Sequence, residues 1–210
     1  MAQNGKIPVG ILFGGQSTEH EISILSARNV VAALDRTRFE PVLIGIDKAG
    51  QWLQQDERKL LACTGDPRQV AIGAGRALDI GGMLASPASN AASRIDVIFP
   101  VLHGTFGEDG ALQGLLDIAG LPYVGAGILG SAIGMDKDVM KRLLRDAGIP
   151  VASFRTVRHR QFEADPRRVC DELAALGFPM FTKPANAGSS VGIRKVTHPT
   201  ALADALRFAF

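Results

Sequence analysis

The sequence is poor in cysteine, in long apolar stretches and in net charge. Its two cysteines, Cys63 and Cys170, are far apart and lack metal-ligand spacing, so we expect free thiols in a reducing compartment. No apolar stretch approaches the ~20 residues that a membrane helix needs. A net charge of +2, without blocks of basic residues, argues against nucleic-acid or membrane-surface binding. The polar amino terminus predicts no signal peptide, and hence a cytoplasmic protein.

Short apolar segments separated by helical patterns predict an α/β fold. Ile7–Phe13 and Pro41–Ile46 are typical of buried parallel strands. Between them, Thr18 and Glu21 fit a capping box, which predicts that a helix follows Thr18. This order predicts a right-handed βαβ unit with a parallel sheet, and Ile95–Leu102 is the next buried strand.

The pattern changes after about residue 130. Val151–Val157 is predicted to be a strand. Phe178–Lys183 and Val191–Val196 are predicted to be strands joined by a hairpin, which favours antiparallel pairing in an α+β unit. We therefore expect two domains, residues 1–130 and 131–210.

The first candidate site is the loop of residues 14–19, which follows the first predicted strand. Ligands of α/β sheets bind at the carboxyl ends of the strands. Glu19 can interact with the helix dipole, as acids in a first turn commonly do, or it can bind an ammonium group in a cleft. On its own, the residue is more typical of the first role.

The second candidate site is the loop of residues 103–110, which also follows a buried strand. It holds a histidine, two acids and three glycines. A single histidine is usually structural, but Glu108 is close enough to orient the ring of His103 and to raise its basicity. We therefore favour a functional site here. The other histidines have no evident partners and are predicted to be surface residues: His20, His159 and His198.

The third candidate site is the loop after Lys183, in which two glycines bracket two serines. Small residues let backbone N–H groups approach a ligand, and a lysine adds positive charge, so the loop suits phosphate oxygens. Glycine and serine are also common in ordinary hairpin loops. Lys137, at the start of a predicted helix, is by itself typical of a solvated surface lysine. The loop residues are Gly188, Ser189, Ser190 and Gly192.

Together the three loops resemble those of the D-alanine–D-alanine ligases, a family of the ATP-grasp superfamily. The resemblance spares only residues 54–93, to which we assign no chemistry. It implies a Rossmann-like, pre-ATP-grasp domain with a parallel βαβ sheet, followed by an incomplete α+β ATP-grasp subdomain. Four segments carry it: VGILFGGQSTEHEISILSARNV (9–30), HGTFGEDGALQG (103–114), MDKDVMKRLLRDAGIP (135–150) and KPANAGSSVG (183–192).

The resemblance also implies an activity. These enzymes make D-alanyl-D-alanine for peptidoglycan from two D-alanines and ATP, with Mg²⁺ or Mn²⁺. The carboxylate of the first D-alanine takes the γ-phosphoryl group, and the amine of the second D-alanine attacks the acyl phosphate. The implied partners are D-alanine, ATP and a second copy of the chain in a homodimer, but neither nucleic acid nor membrane.

Residue roles carry over where the motifs match. Glu19 would bind the ammonium of the first D-alanine, and His103 would lie near its carboxylate with Glu108 as partner. Ser189 would help to tie that region to a closing loop. The residues expected to contact ATP are Lys137, Lys183, Gly188 and Ser190.

The sequence departs from the family in two ways. Thr182 stands where an aliphatic residue is usual. The expected magnesium ligands, adenine-binding segment and transition-state arginine would lie beyond Phe210, which falls inside a predicted amphipathic helix. We therefore expect a longer protein, and we predict no ligase turnover from these 210 residues alone.

Three other functions remain open. One is a sister ligase that uses D-lactate or D-serine as second substrate. Another is a non-catalytic remnant that binds ligand or dimerises. A nicotinamide-dependent dehydrogenase would suit the opening βαβ unit, but that unit lacks the glycine fingerprint and the ribose-binding acid.

Overall fold

A computed structural model describes residues 5–63, 65–78 and 95–210. The chain divides into two compact units, residues 1–132 and 133–210. The 54–93 stretch lies partly outside the described residues.

The first unit is built on a five-stranded sheet in the order β4-β3-β2-β1-β5. β1 pairs in parallel with β2 and with β5, while β3 and β4 add antiparallel pairs at one edge. The predicted α/β class and parallel βαβ unit are confirmed. The strands are β1 (Ile7–Gly14), β2 (Phe39–Ile46), β3 (Trp52–Gln54), β4 (Arg76–Ala77) and β5 (Val97–Pro100).

Both faces of this sheet are covered, which explains why its strands read as continuous apolar segments. On one face, Ile11 and Phe13 pack with Ile24 of α1. On the other face, Leu12 packs with Leu112 of α3. Among the described residues, no helix is both long and apolar enough to cross a bilayer. The helices are α1 (His20–Ala33), α2 (Glu57–Leu61), α3 (Ala111–Ile118) and α4 (Ile128–Met135), the last of which runs across the division between the units.

β1 is the point at which the topology changes direction. The chain leaves β1 through α1 to reach β2 on one side, whereas β5 pairs with the opposite side of β1. The loops that follow β1 and β5 therefore lead away from each other. A crevice opens at such a switch point, and this is where α/β sheets bind ligands.

The second unit combines a two-stranded antiparallel sheet with four helices among its described elements. The predicted hairpin is confirmed. The predicted strand at 151–157 is wrong, because these described residues form neither helix nor strand, and an unpredicted helix follows at α6. The elements are α5 (Lys137–Asp146), α6 (His159–Ala164), α7 (Pro166–Ala174), β6 (Met180–Thr182), β7 (Arg194–Val196) and α8 (Leu202–Ala209).

A separate apolar core holds the second unit together. Val196 of β7 packs with Leu202 and Leu206 of α8, and Phe162 of α6 joins the same cluster. Alternation along the short strands directs Met180 and Thr182 inward and leaves Phe181 exposed.

Candidate functional site

Glu19 lies at the crevice beside β1, against the loop that follows β5. A Cβ atom added to Gly104 would lie 2.8 Å from Glu19 Oε2, so the carboxylate lies directly over this glycine. Gly104 has φ +72°, a conformation that glycine adopts without a steric penalty. Two sequence-predicted loops, more than 80 residues apart in sequence, therefore meet at one carboxylate.

The local structure that positions Glu19 differs from the predicted capping box. α1 begins at His20, and Glu19 is its N-cap residue, without a side-chain capping bond. The predicted Thr18 cap is therefore wrong. Instead, Ser17 Oγ accepts a hydrogen bond of 3.1 Å from the Glu19 backbone N–H. Glu21 forms an ion pair with Lys48 (2.6 Å), whose hydrogen bond is the main cause of a lowered Glu21 pKa.

His103 is half-buried at the end of the segment after β5, and its ring contacts α1. Its Nε2 lies 3.0 Å from Ser26 Oγ. Glu108, the predicted partner of the ring, instead accepts a hydrogen bond of 2.7 Å at Oε2 from the backbone N–H of Gly104. Glu108 thus holds the loop backbone, and the side chain that shares a hydrogen bond with the ring is that of Ser26. A role of Glu108 in orienting the substrate stays a prediction.

A buried glutamine, missed in the sequence, braces the same loop from α3. Gln113 Nε2 donates a hydrogen bond of 3.0 Å to the carbonyl of Gly107. Its Oε1 is the buried side-chain polar atom that lacks a partner among the described residues. A Cβ atom on Gly107 would lie 2.6 Å from Leu102 Cβ, so only glycine fits where the loop passes over Leu102.

A cavity of about 200 Å³ lies beside these loops in the first unit. Gly14, Gly15 and Gln16 border it at and just after the end of β1, and His103 and Thr105 border it after β5. The rest of the wall is largely apolar, so the cavity can accommodate a small group that combines a polar end with an apolar one. The apolar lining residues are Ile46, Trp52, Leu102, Phe106, Leu112 and Leu115.

Two further polar residues of α1, which no local sequence pattern marks as functional, support the crevice. His20 was predicted to lie at the surface, but it is only 4% exposed, and its Nδ1 lies 2.7 Å from the carbonyl oxygen of Gly15. Ser23 is fully buried and makes hydrogen bonds to backbone groups of two strand ends. A buried polar side chain must find such partners, because burial without them costs about 1–3 kcal/mol.

The other two histidines also have partners. His159 is exposed as predicted, but it pairs with Glu163 at 3.3 Å and contacts the ring of Phe210. His198 caps a short 3₁₀ helix, with Nδ1 accepting from the Thr200 backbone N–H. Neither arrangement indicates a site.

In the second unit, Lys137 is held against the glycine-serine loop. α5 begins at Lys137, after the cap residue Asp136. The Lys137 Nζ donates hydrogen bonds to the carbonyls of Ala185 (3.4 Å) and Ala187 (2.5 Å). Burial of its ammonium, followed by the nearby charge of Lys183, lowers the pKa of Lys137, and Asp136 opposes this shift. The two lysines predicted to bind phosphate are therefore close enough to repel each other.

Lys183 directly follows β6. Its Nζ lies 5.7 Å from the centre of the exposed Phe181 ring, within the range of a cation–π contact. The preceding residue, Thr182, is buried, and its Oγ1 donates a 3.1 Å hydrogen bond to the carbonyl of Ala205 in α8. This bond explains how a threonine is accommodated where the resemblance predicts an aliphatic side chain.

The loop between β6 and β7 has an unusual backbone. Ser189 and Ser190 have φ values of 45° and 62°, and they form the centre of a turn closed by the Val191 N–H and the Gly188 carbonyl at 3.0 Å. Non-glycine residues in this region cost of order 1–3 kcal/mol each, and such residues cluster at functional sites. Gly192 is required sterically, because a Cβ there would lie 2.5 Å from Pro184 Cγ.

The donor groups of the described residues do not form a metal site. No group of three or more His, Cys, Asp or Glu side chains lies together in the described ranges. Both cysteines are free.

Comparisons with known proteins match both units to one family. The family model described as D-ala D-ala ligase N-terminus matches residues 8–126, and the one described as D-ala D-ala ligase C-terminus matches residues 143–210. A curated D-alanine–D-alanine ligase A of Chromobacterium violaceum is 50% identical over 98% of this chain. That of Escherichia coli K12 is 46% identical over the same share. The chain spans 58% of the length of each of these relatives.

Solved structures give the same result. The D-alanine–D-alanine ligase of Coxiella burnetii aligns with a TM-score of 0.82 and 38% identity, covering 98% of this chain and 59% of that one. The VanG D-Ala:D-Ser ligase of Enterococcus faecalis aligns with a TM-score of 0.74 and 33% identity, covering 98% and 60%.

Proposed function

The chain belongs to the D-alanine–D-alanine ligase family, and we propose that the protein containing it joins two D-alanines with ATP to make D-alanyl-D-alanine for peptidoglycan synthesis. The observation that carries this proposal is the meeting of the Glu19 carboxylate with Gly104, next to His103, at the sheet's switch point.

The first unit supplies groups that suit a zwitterionic amino acid. An ammonium group needs a fixed anion, which the Glu19 carboxylate provides. An amino acid bound there would present its carboxylate to the imidazole of His103. The partly apolar cavity wall beside His103 suits a small side chain such as a methyl group.

The second unit supplies groups that suit nucleotide phosphates. Lys137 and Lys183 bring two positive charges to one loop, and a phosphate would relieve the repulsion between them. The Gly188–Val191 turn adds backbone N–H groups in a left-handed conformation of the kind that binds anions. Ser189 and Ser190 add hydroxyl groups to the same turn. We assign ATP phosphate contacts to Lys137, Lys183, Gly188 and Ser190.

The proposed reaction has two steps. A carboxylate oxygen of the first D-alanine attacks the γ-phosphorus of ATP, the bond from that phosphorus to the β–γ bridging oxygen breaks, and ADP leaves. The amine of the second D-alanine then attacks the acyl carbon, the carbon–oxygen bond to phosphate breaks, and the amine loses a proton. Lysines and backbone N–H groups offset the repulsion between the anions in the first step.

We assign no metal ligand, because the described residues do not fit one. The metal that the resemblance implies therefore enters no step above.

One alternative to D-alanine as the second substrate has a specific observation in its favour. The likeness to a D-Ala:D-Ser ligase at 33% identity supports D-serine as an alternative attacking group. D-lactate is the corresponding oxygen nucleophile. Phosphate release with each of these compounds, measured on the natural protein that contains these residues, distinguishes the three activities.

The central test is Glu19→Gln, with Glu21→Gln as a matched control on the same helix. We expect Glu19→Gln to weaken binding of the first D-alanine by about tenfold or more, since hydrogen bonds to charged groups contribute about 1.5–3 kcal/mol. Glu21 is paired with Lys48, so its variant should keep the parental affinity. Steady-state kinetics with D-alanine, supported by calorimetric titration, provide the measurement on the natural protein that contains these residues. Unchanged kinetics for Glu19→Gln would contradict the role of Glu19.

We also propose a cytoplasmic homodimer. The family resemblance supports the dimer, and the exposed apolar side chains Ile118 and Leu129 are 85% and 73% accessible in the single chain. The free state of both cysteines supports a reducing compartment.

A further inference from the structure

α1 carries three polar residues at intervals of three, and each makes a hydrogen bond outside the helix. They are His20, Ser23 and Ser26. Polar side chains that face the protein interior instead of solvent are normally hydrogen-bonded to other groups of the protein. The partners here are the loop after β1 and the segment after β5, which together form the crevice.

Ser23 fixes the strand ends. Its Oγ accepts from the Gly14 backbone N–H at 2.8 Å and donates to the Val101 carbonyl at 2.6 Å. Val101 lies two residues before His103. The backbone that leads to His103 is therefore attached to α1 one turn before the ring itself is.

Ser26 fixes the ring. Its Oγ lies 3.0 Å from Nε2 of His103, and both residues are partly buried. A serine hydroxyl can donate or accept, so it matches either neutral tautomer of the imidazole, but it engages one nitrogen only. With Nε2 engaged, Nδ1 is the nitrogen left to meet a substrate.

We propose that Ser26 is a positioning residue for His103, which holds the ring at Nε2 and directs Nδ1 toward the carboxylate of the first D-alanine. The catalytic part of this inference rests on the proposed function. The hydrogen bond also ties His103 to the helix whose N-cap residue is Glu19, so one rigid element sets the positions of both groups. A serine seven residues after the carboxylate thus acts through another side chain.

The test compares Ser26→Ala with Ser26→Thr, which keeps the hydroxyl. Alanine is the best helix former, so Ser26→Ala should fold. In the chain labelled with ¹⁵N-histidine, at a pH where the ring is neutral, long-range ¹H–¹⁵N spectra report which nitrogen of His103 carries the proton. The signals are assigned with His103→Asn. We expect the ring ¹⁵N signals of His103 to be nearly the same in the parent and in Ser26→Thr, and to change in Ser26→Ala, because the alanine variant loses the hydrogen bond at Nε2.

Kinetics of the natural protein give the second readout. We expect Ser26→Ala to lower kcat/KM for D-alanine by about fivefold to tenfold, the usual effect of one lost hydrogen bond. KM for ATP should not change, and Ser26→Thr should restore most of the loss. Ser131→Ala is the matched control, because Ser131 is also helical and its Oγ donates to the Ala126 carbonyl at 3.3 Å, away from His103.

The two readouts separate the possible failures. Identical ring spectra for the parent and Ser26→Ala would overturn the positioning role, whatever the substrate is. A ring that depends on Ser26 in a protein that does not turn over D-alanine would support the positioning of His103 and contradict the proposed function. An equal change in Ser131→Ala would also overturn the inference, since it would show a general effect on the fold.

Discussion

Gly104→Ala tests the meeting of the two loops directly, because Gly104 lies under the Glu19 carboxylate. The added methyl group would lie 2.8 Å from Glu19 Oε2, closer than real Cβ contacts. The carboxylate ends a flexible side chain, so it can withdraw by several tenths of an ångström. The variant should therefore fold while the carboxylate that we propose to bind the ammonium group is displaced.

The expected effect of Gly104→Ala has two parts, a loss of stability and a loss of D-alanine affinity. The first is backbone strain: Gly104 has φ +72°, and a left-handed residue with a Cβ atom costs about 1–2 kcal/mol. The second is the contact with Glu19, which we expect to weaken D-alanine binding by about tenfold, or about 1.4 kcal/mol. Gly120 separates the two parts, because it has φ +64° and no atom within 4 Å of an added Cβ.

The assay measures urea unfolding and D-alanine binding for Gly104→Ala and Gly120→Ala. Both variants should lose similar stability, but only Gly104→Ala should lose affinity. Combined with Glu19→Gln, Gly104→Ala should cause little further loss, since neighbouring residues that act through one contact are not additive. Parental D-alanine binding by both alanine variants, or an equal loss of binding in Gly120→Ala, would contradict the placement of the Gly104–Glu19 contact in the binding site.

Two other predictions concern single residues. Lys183→Met should raise the pKa of Lys137 toward its ordinary value, because it removes a neighbouring positive charge while the burial remains. Titration of ¹³C-labelled lysine measures this pKa. The control is Lys195→Met, which should leave the Lys137 pKa unchanged because the charge of Lys195 is not among the causes of the shift. Thr18→Ala should change the free energy of unfolding by less than about 0.5 kcal/mol, because Thr18 is not the N-cap residue of α1. Asp136→Ala removes the side chain that caps α5, so it should lower the free energy of unfolding by about 1 kcal/mol. An unchanged Lys137 pKa in Lys183→Met, or a large loss of stability in Thr18→Ala, would contradict these assignments.

The sheet of the first unit could be predicted because its strands are buried on both faces. Burial on both faces requires nearly every residue of β1 to be apolar, and Ile11, Leu12 and Phe13 meet this requirement. In a chain of this composition, such a continuous apolar segment has few possible structures other than a buried strand. The strand ends then locate the loops, so Glu19 and His103 could be selected from sequence with the parallel order of the strands.

The partners of polar groups could not be predicted in this way. Ser23 and Val101 are 78 residues apart, and no local pattern distinguishes a serine that bonds a distant carbonyl from one that faces water. His20 was misassigned for the same reason. The predicted pairing of His103 with Glu108 was wrong because, in this tight loop, the Glu108 carboxylate accepts a hydrogen bond from the backbone N–H of Gly104.

Propensity alone also misled at residues 151–157. A strand needs a neighbour that satisfies its backbone hydrogen bonds, and β propensity mostly reports how well a side chain suits a packed sheet. The described sheet of the second unit consists of β6 and β7 alone, and 151–157 do not pair with it. The capping signal at Thr18 failed similarly, since Ser17 already engages the Glu19 N–H that opens the helix.

α1 explains how two loops from distant parts of the chain form one arrangement. Glu19 is its N-cap residue, Ser23 holds the strand ends, and Ser26 holds the ring of His103. A rise of about 1.5 Å per residue fixes the spacing of these attachments along the helix axis. A displacement of α1 would therefore move carboxylate and imidazole together and preserve their separation, whereas loss of the Ser26 contact would release His103 alone. We therefore expect the position of the His103 ring relative to the Glu19 carboxylate to depend on the Ser26 hydrogen bond.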